Sequence, residues 1–163
     1  MSAAHTFDKQ AIDKALSKAK IGLMSAPDSV FFSTVCMSMR HRWDETIPTA
    51  CTDGRNVWYS PRFFMEHCQA DERVGLVLHE TLHPAFHHMV RRGDRDPKRW
   101  NKAADYAINL IIVDAGFKLP KGALLDKRFR GMTVEQIYDI LTEAGDEGIE
   151  PDWDDLREPC LLY

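Results

Sequence analysis

A mostly helical α+β domain with one small antiparallel sheet is what this sequence predicts, and three observations predict it. Apolar residues recur at helical spacing along most of the chain. β-prone residues concentrate in one stretch, IPTACTDGRNVWYSP, centred on the turn pair Asp53-Gly54. The longest helical segment contains the sequence His79-Glu80-Thr81-Leu82-His83.

The 163 residues suit a single domain, residues 1–145, followed by an acidic tail over 146–163. A chain of this length buries about two-thirds of its unfolded surface and needs no covalent staple to fold. Hydrophobic residues make up 44% and charged residues 28%, which excludes a disordered chain. The net charge of −4 argues against a nucleic-acid partner, since phosphate binding calls for a basic surface. No segment has the length and apolarity to cross a bilayer, and the N-terminal stretch MSAAHTFDKQAIDKALSKAK lacks a signal-peptide core. The expectation is a cytoplasmic protein. Its four cysteines, Cys36, Cys51, Cys68 and Cys160, are widely spaced and read as free thiols. Cys51 and Cys68 are secondary candidates for metal ligation.

Taken in order, the first helix starts near Thr6 or Phe7 and carries Ile12, Leu16, Ala19 and Leu23 on one side. Ser25-Ala26-Pro27 marks the entry to a second helix over Asp28–His41, with Val30, Phe31, Thr34, Val35 and Met39 inward. Two strands follow, Ile47–Thr52 and Asn56–Ser60, then a short helix over Arg62–His67. A long helix spans Asp71–Arg91 with Val74, Leu78, Leu82, Ala85, Phe86 and Met89 as its apolar stripe. After the polar connection DRDPKR, another helix covers Trp100–Asp114, ended by Gly116. Thr133 and Gln136 form a capping box for a last helix over Val134–Ala144.

The HExxH spacing has a chemical reason. Residues four apart lie one turn apart on one helix face, so both imidazoles reach one ion. His79 and His83 are therefore metal ligands, with a single zinc ion per chain as the expected cofactor. Glu80 is placed to act as the catalytic base on a zinc-activated water. A third ligand is needed. Asp105 lies on the next helix and shares a polar face with Asn109, four residues on, in the otherwise apolar run AADYAINLII. We take Asp105 as the third ligand and Asn109 as the group that orients a ligand. His87 and His88 are the alternatives. Helix geometry opposes both, unless Pro84 kinks the helix and swings one of them closer.

Peptide-cleaving sites of this type hold an extended substrate on a sheet edge. The strand NVWYS is the candidate edge, with Trp58 and Tyr59 lining the cleft. Tyr106, Tyr59, His87 and His88 are candidates for stabilising the oxyanion, with Tyr106 foremost.

The stretches TACTDGRNVWYSP, LVLHETLHPAFHH, RRGDRDPKRWNKAADYAINLIIVDAGFKLPKGALLD and GMTVEQIYDIL resemble the putative metallopeptidase domain found N-terminal to a von Willebrand factor A-like domain in bacterial and phage proteins. HExxH combined with W-N-x-A-x-D-x-x-I-N carries the resemblance. It implies a zincin-like fold and a zinc peptidase, and it supports His79, Glu80, His83, Asp105 and Asn109 in their roles. It also implies a bacterial cytoplasm, or a host cytoplasm for a phage protein. The chain departs from the pattern at Pro84 and lacks the von Willebrand-like half, which suggests a stand-alone catalytic module or a fragment. Three functions compete: a peptidase acting on a protein or peptide, a catalytically silent zinc-stabilised module serving an AAA-type ATPase or a von Willebrand factor A-like partner, and a metal hydrolase with another substrate. Retention of Glu80 beside the ligands favours the first.

Overall fold

The computed structural model describes residues 6–145; the acidic tail expected over 146–163 lies outside them. Helix α1 (Lys9–Met24) starts where the Asp8 side chain accepts the Gln10 backbone N–H, and buries Ile12, Leu16, Ala19 and Leu23. Helix α2 (Val30–Ser38) is shorter than its apolar composition suggests. It begins after Asp28, which takes a left-handed backbone at φ 56°. Its phase differs from expectation in part: Val35 and Met39 turn inward as expected and Cys36 joins them, whereas Val30, Phe31 and Thr34 are exposed.

The last residues of the expected second helix form a strand instead, β1 (Arg40–Trp43). It pairs in parallel with β3 (Asn56–Tyr59), which pairs antiparallel with β2 (Ala50–Thr52). The sheet is thus mixed, in the order β1-β3-β2, rather than an antiparallel hairpin alone. Arg-His-Arg-Trp has no strand signature in isolation. The open backbone edge of β3 and the packing of Trp43 on Tyr59 and Phe64 outweigh its local helical preference.

A π-helical turn over Phe63–His67 leads into helix α3 (Ala70–Ala85). The Glu72 carboxylate accepts the Gln69 N–H to cap it, and Arg73 donates to the carbonyls of Phe64 and Met65, tying the helix to the turn before it. Helix α3 is the centre of the fold. It packs on α1, α2 and β2, and on helix α5 (Pro97–Asp114). Gly75 is required there: a Cβ would sit 1.8 Å from the Lys118 carbonyl oxygen, so the chain leaving α5 can cross α3 only over a glycine.

The long helix expected through Arg91 is broken. It stops at Ala85, Phe86 caps it, and His87 takes a left-handed backbone at φ 55° before the short helix α4 (His88–Arg91). Pro84 explains the stop, because it lacks the N–H that would bond the Glu80 carbonyl. Helix α5 starts three residues before Trp100, with Asp96 accepting the Arg99 N–H and Pro97 in the first turn. A 3-10 turn over Lys127–Phe129 precedes helix α6 (Val134–Glu143), whose Thr133–Gln136 capping box forms as expected.

Two apolar cores result. The larger joins α1, α2, the sheet and α3 to Ile108 and Ile112 of α5. The smaller joins the other side of α5 to Phe129 and α6. Among the described residues no helix is long and apolar enough to cross a membrane.

Candidate metal centre

Helices α3 and α5 run in opposite directions, since His79 meets Asn109 and Asp105 while the later His83 meets Asp105. This brings three ligand atoms together. The Nε2 atoms of His79 and His83 lie 3.3 Å apart, and each stands 3.2–3.3 Å from the same Asp105 oxygen. Among the described residues, this is the group of His, Cys, Asp and Glu side chains that is able to hold a metal ion. The His83 side chain is 9% exposed, His79 15% and Asp105 25%. The three side chains therefore sit just below the surface, partly open to solvent.

Charge and burial compete at this site. Burial lowers the His79 pKa, but the hydrogen bond and charge of Asp105 outweigh it and raise the value to about 9. Burial raises the Asp105 carboxyl, and the two histidines outweigh that, holding it well below the usual carboxylate range. A proton and a cation thus compete for the same lone pairs. Glu80 behaves differently. Burial raises its pKa more than His79 and His83 lower it. A buried carboxyl with a raised pKa beside a metal-binding group is a candidate for proton exchange.

Hydrogen bonds on the far side of each imidazole set its orientation. Asn109 Nδ2 donates to the Leu124 carbonyl at 2.8 Å, which fixes the amide and turns Oδ1 toward His79. His79 Nδ1 then donates to Oδ1 at 2.7 Å, leaving the Nε2 lone pair for a ligand. Behind His83, its Nδ1 lies 3.2 Å from Nδ1 of His88, a residue 1% exposed. Burial first, then the nearby His83 and Arg91, lowers the His88 pKa to about 3, so this imidazole is neutral.

Several residues singled out from the sequence stand elsewhere. Tyr106 follows Asp105 directly and is turned about 100° from it on α5. It is buried against Phe129 in the smaller core, beside Asp126 and Arg128, rather than at the metal-binding group. Tyr59 is fully buried with its hydroxyl 3.1 Å from His41 Nδ1, so it does not line a cleft. Its strand is the central one, so NVWYS has no free edge; β2 is the edge strand that packs on α3. Trp58 is half-buried on the face of β3 opposite Val57 and Tyr59. His87 is exposed and, like His88, stands outside the ligand group. Cys36 and Cys68 are free and buried, with burial pushing the Cys68 thiol up to about 12. Cys51 is disulfide-bonded, against the expectation of four free thiols, and among the described residues no cysteine joins the metal-binding group.

The contact between His83 and His88 is what sequence reasoning missed. In an unbroken helix these residues point about 140° apart. The signal was Pro84, whose effect on the direction of the chain cannot be derived from spacing alone.

Neither a search of curated proteins nor one of solved structures gives a match. A family model does match, over residues 12–156, nearly the whole chain and including both ligand-bearing helices. The chain belongs to the family described as "Putative metallopeptidase domain".

Proposed function

We propose that this protein is a zinc-dependent peptidase, with zinc held by His79, His83 and Asp105 and with Glu80 as general base. The observation that carries the reading is the ligand triangle. Atoms bound at about 2.0–2.1 Å around a tetrahedral zinc ion lie about 3.3–3.4 Å apart. The sides here are 3.2, 3.3 and 3.3 Å. Two imidazoles and one carboxylate also match the donor set of catalytic zinc sites, which keep a fourth position open. Zinc held there supplies Lewis acidity, polarising a carbonyl and lowering the pKa of water toward about 7.

The protein's own groups perform the proton transfers. Glu80 removes a proton from water as the oxygen bonds to the scissile carbonyl carbon. It then delivers that proton to the amine nitrogen as the C–N bond breaks. Asn109 keeps His79 in the tautomer that presents Nε2. Of the side chains considered for the oxyanion, His87 is the one that remains exposed. An extended peptide fits best along β2, the edge strand packed on α3.

A non-catalytic zinc-stabilised binding module is the second reading. It is favoured by exposed apolar residues on α1 and α2, namely Ile21, Met24, Val30, Phe31 and Met37, which suit a protein partner. A von Willebrand factor A-like domain or an AAA-type ATPase fits such a role in a bacterial or phage-infected cytoplasm.

Zinc content and peptide hydrolysis of the purified protein, Asp105→Ala and Glu80→Gln separate these readings. The peptidase reading expects a single zinc per chain, lost or much weakened in Asp105→Ala. It expects Glu80→Gln to keep the zinc and lose about 10²–10⁴ in rate. Equal hydrolysis by Glu80→Gln and the unmodified protein would refute the catalytic role.

A further inference from the structure

We propose that His88 is a positioning residue for metal binding: its Nδ1 accepts the Nδ1–H of His83 and so commits His83 to presenting Nε2. The inference rests on the metal-site reading above and extends it to a residue that does not itself touch the metal.

The geometry begins with the chain break. His87 carries a Cβ yet adopts φ 55° and ψ 34°, a conformation normally left to glycine or asparagine. Its N–H reaches back to the Pro84 carbonyl, while its own carbonyl accepts the N–H groups of Val90 and Arg91 to start α4. Through this single residue the chain reverses enough to return His88 to the side of His83. The rings stand 5.4 Å apart at 77°, with the two Nδ1 atoms 3.2 Å apart.

His88 is held on other sides as well. Trp100 Nε1 donates to its backbone carbonyl at 2.8 Å, and the Trp100 ring meets the His88 ring at a right angle. Trp100 is fully buried and lies one turn and a residue before Asp105 on α5. The helix that supplies the carboxylate therefore also anchors the residue behind the second imidazole.

Chemistry fixes the direction of the hydrogen bond. An imidazole that gives Nε2 to a metal must carry its proton on Nδ1. His83 Nδ1 is then the donor, and His88 must offer a bare Nδ1, with its own proton on Nε2. The two ligating histidines are thus oriented by different means, His79 by an amide oxygen and His83 by a second imidazole.

The test compares zinc affinity, by chelator competition, in the unmodified protein, His88→Phe and His88→Asn. Phenylalanine fills the space without an acceptor. Asparagine carries an oxygen where Nδ1 stands. His88→Phe is expected to bind zinc about 10–100-fold more weakly, and His88→Asn to recover most of the loss. A purely packing role predicts the reverse order, since Phe preserves volume better. Long-range ¹H–¹⁵N spectra of the zinc-loaded unmodified protein read the proton directly, with His83 protonated on Nδ1 and His88 on Nε2. Equal affinity in all three proteins, or a proton on His88 Nδ1, overturns the proposal and leaves the metal site standing. Failure of the unmodified protein to bind zinc overturns both.

Discussion

Helix α5 has two neighbours and treats them differently. Toward α6 it presents Trp100, Ala103, Tyr106 and Leu110, which close an apolar core with Phe129, Val134, Ile137 and Leu141. Toward α3 it presents Asp105 and Asn109 among the apolar Ile108 and Ile112. One interface is held by dispersion and area. The other holds a carboxylate, an amide and two imidazoles in a fixed arrangement. A chain that needed only stability would gain by placing leucines at 105 and 109, because ionic groups buried together repay their desolvation poorly. The difference teaches that stability and metal binding are divided between the two faces of one helix, and that substitutions should separate them.

The largest effect on folding comes from the apolar face. Ile137 of α6 is fully buried. Ile137→Ala is expected to destabilise the protein by about 2–5 kcal/mol in denaturant unfolding, through lost transfer energy and the cavity left behind. Zinc affinity of the fraction that remains folded should be unchanged. A parallel loss of affinity would break the comparison, showing that the α5–α6 packing also sets the position of Asp105.

Next is a pH effect that belongs to the polar face alone. The His79 pKa is raised from 6.5 to about 9 in the folded protein. Its stabilising contribution is therefore complete below pH 6.5 and disappears as pH rises through about 9. Asp105 is depressed, so its contribution is present above its ordinary value of 3.8 and is lost as pH falls further. Metal-free protein should be most stable between these limits, with its Tm falling from pH 6.5 to about 9. Asp105→Asn removes the charge that raises His79, and its Tm should be flatter over that interval. An unchanged slope in the variant would assign the pH dependence to other groups.

The same division decides what could be read in the sequence. HExxH spacing places His79 and His83 on one face without reference to any neighbour. The polar pair Asp105 and Asn109 interrupts an apolar helix, so it points to a polar neighbour across from it. Tyr106 has no such mark. An aromatic residue next to Asp105 reads equally as a catalytic helper or as core, and only the location of α6 decides. The sheet failed for a related reason. Arg40–Trp43 becomes a strand because β3 offers an unpaired edge, a property of the assembled fold. NVWYS was expected at that edge because nothing in the segment announces that β1 will cover it. Val35 and Met39 turn inward as expected, but Val30, Phe31 and Thr34 were misassigned, since nearly every residue in VFFSTVCMS is apolar or small and leaves little phase to read.

The smallest effect sharpens the comparison most, because two hydrogen bonds of one side chain can be taken apart. Asn109 accepts from His79 through Oδ1 and donates to the Leu124 carbonyl through Nδ2. Asn109→Ala removes both and should weaken zinc binding about 10–100-fold. Asn109→Asp keeps the acceptor for His79 but sets a carboxylate oxygen against the Leu124 carbonyl, where a donor is required. Its zinc affinity should stay close to that of the unmodified protein while its metal-free stability falls, because a half-buried acceptor has lost its partner, at a cost of up to about 1–3 kcal/mol. If affinity falls equally in both variants, the bond to Leu124 is what holds His79 in place, through the chain after α5. If affinity survives in both, the orientation of His79 is set by Asp105 alone and the amide only fills its site.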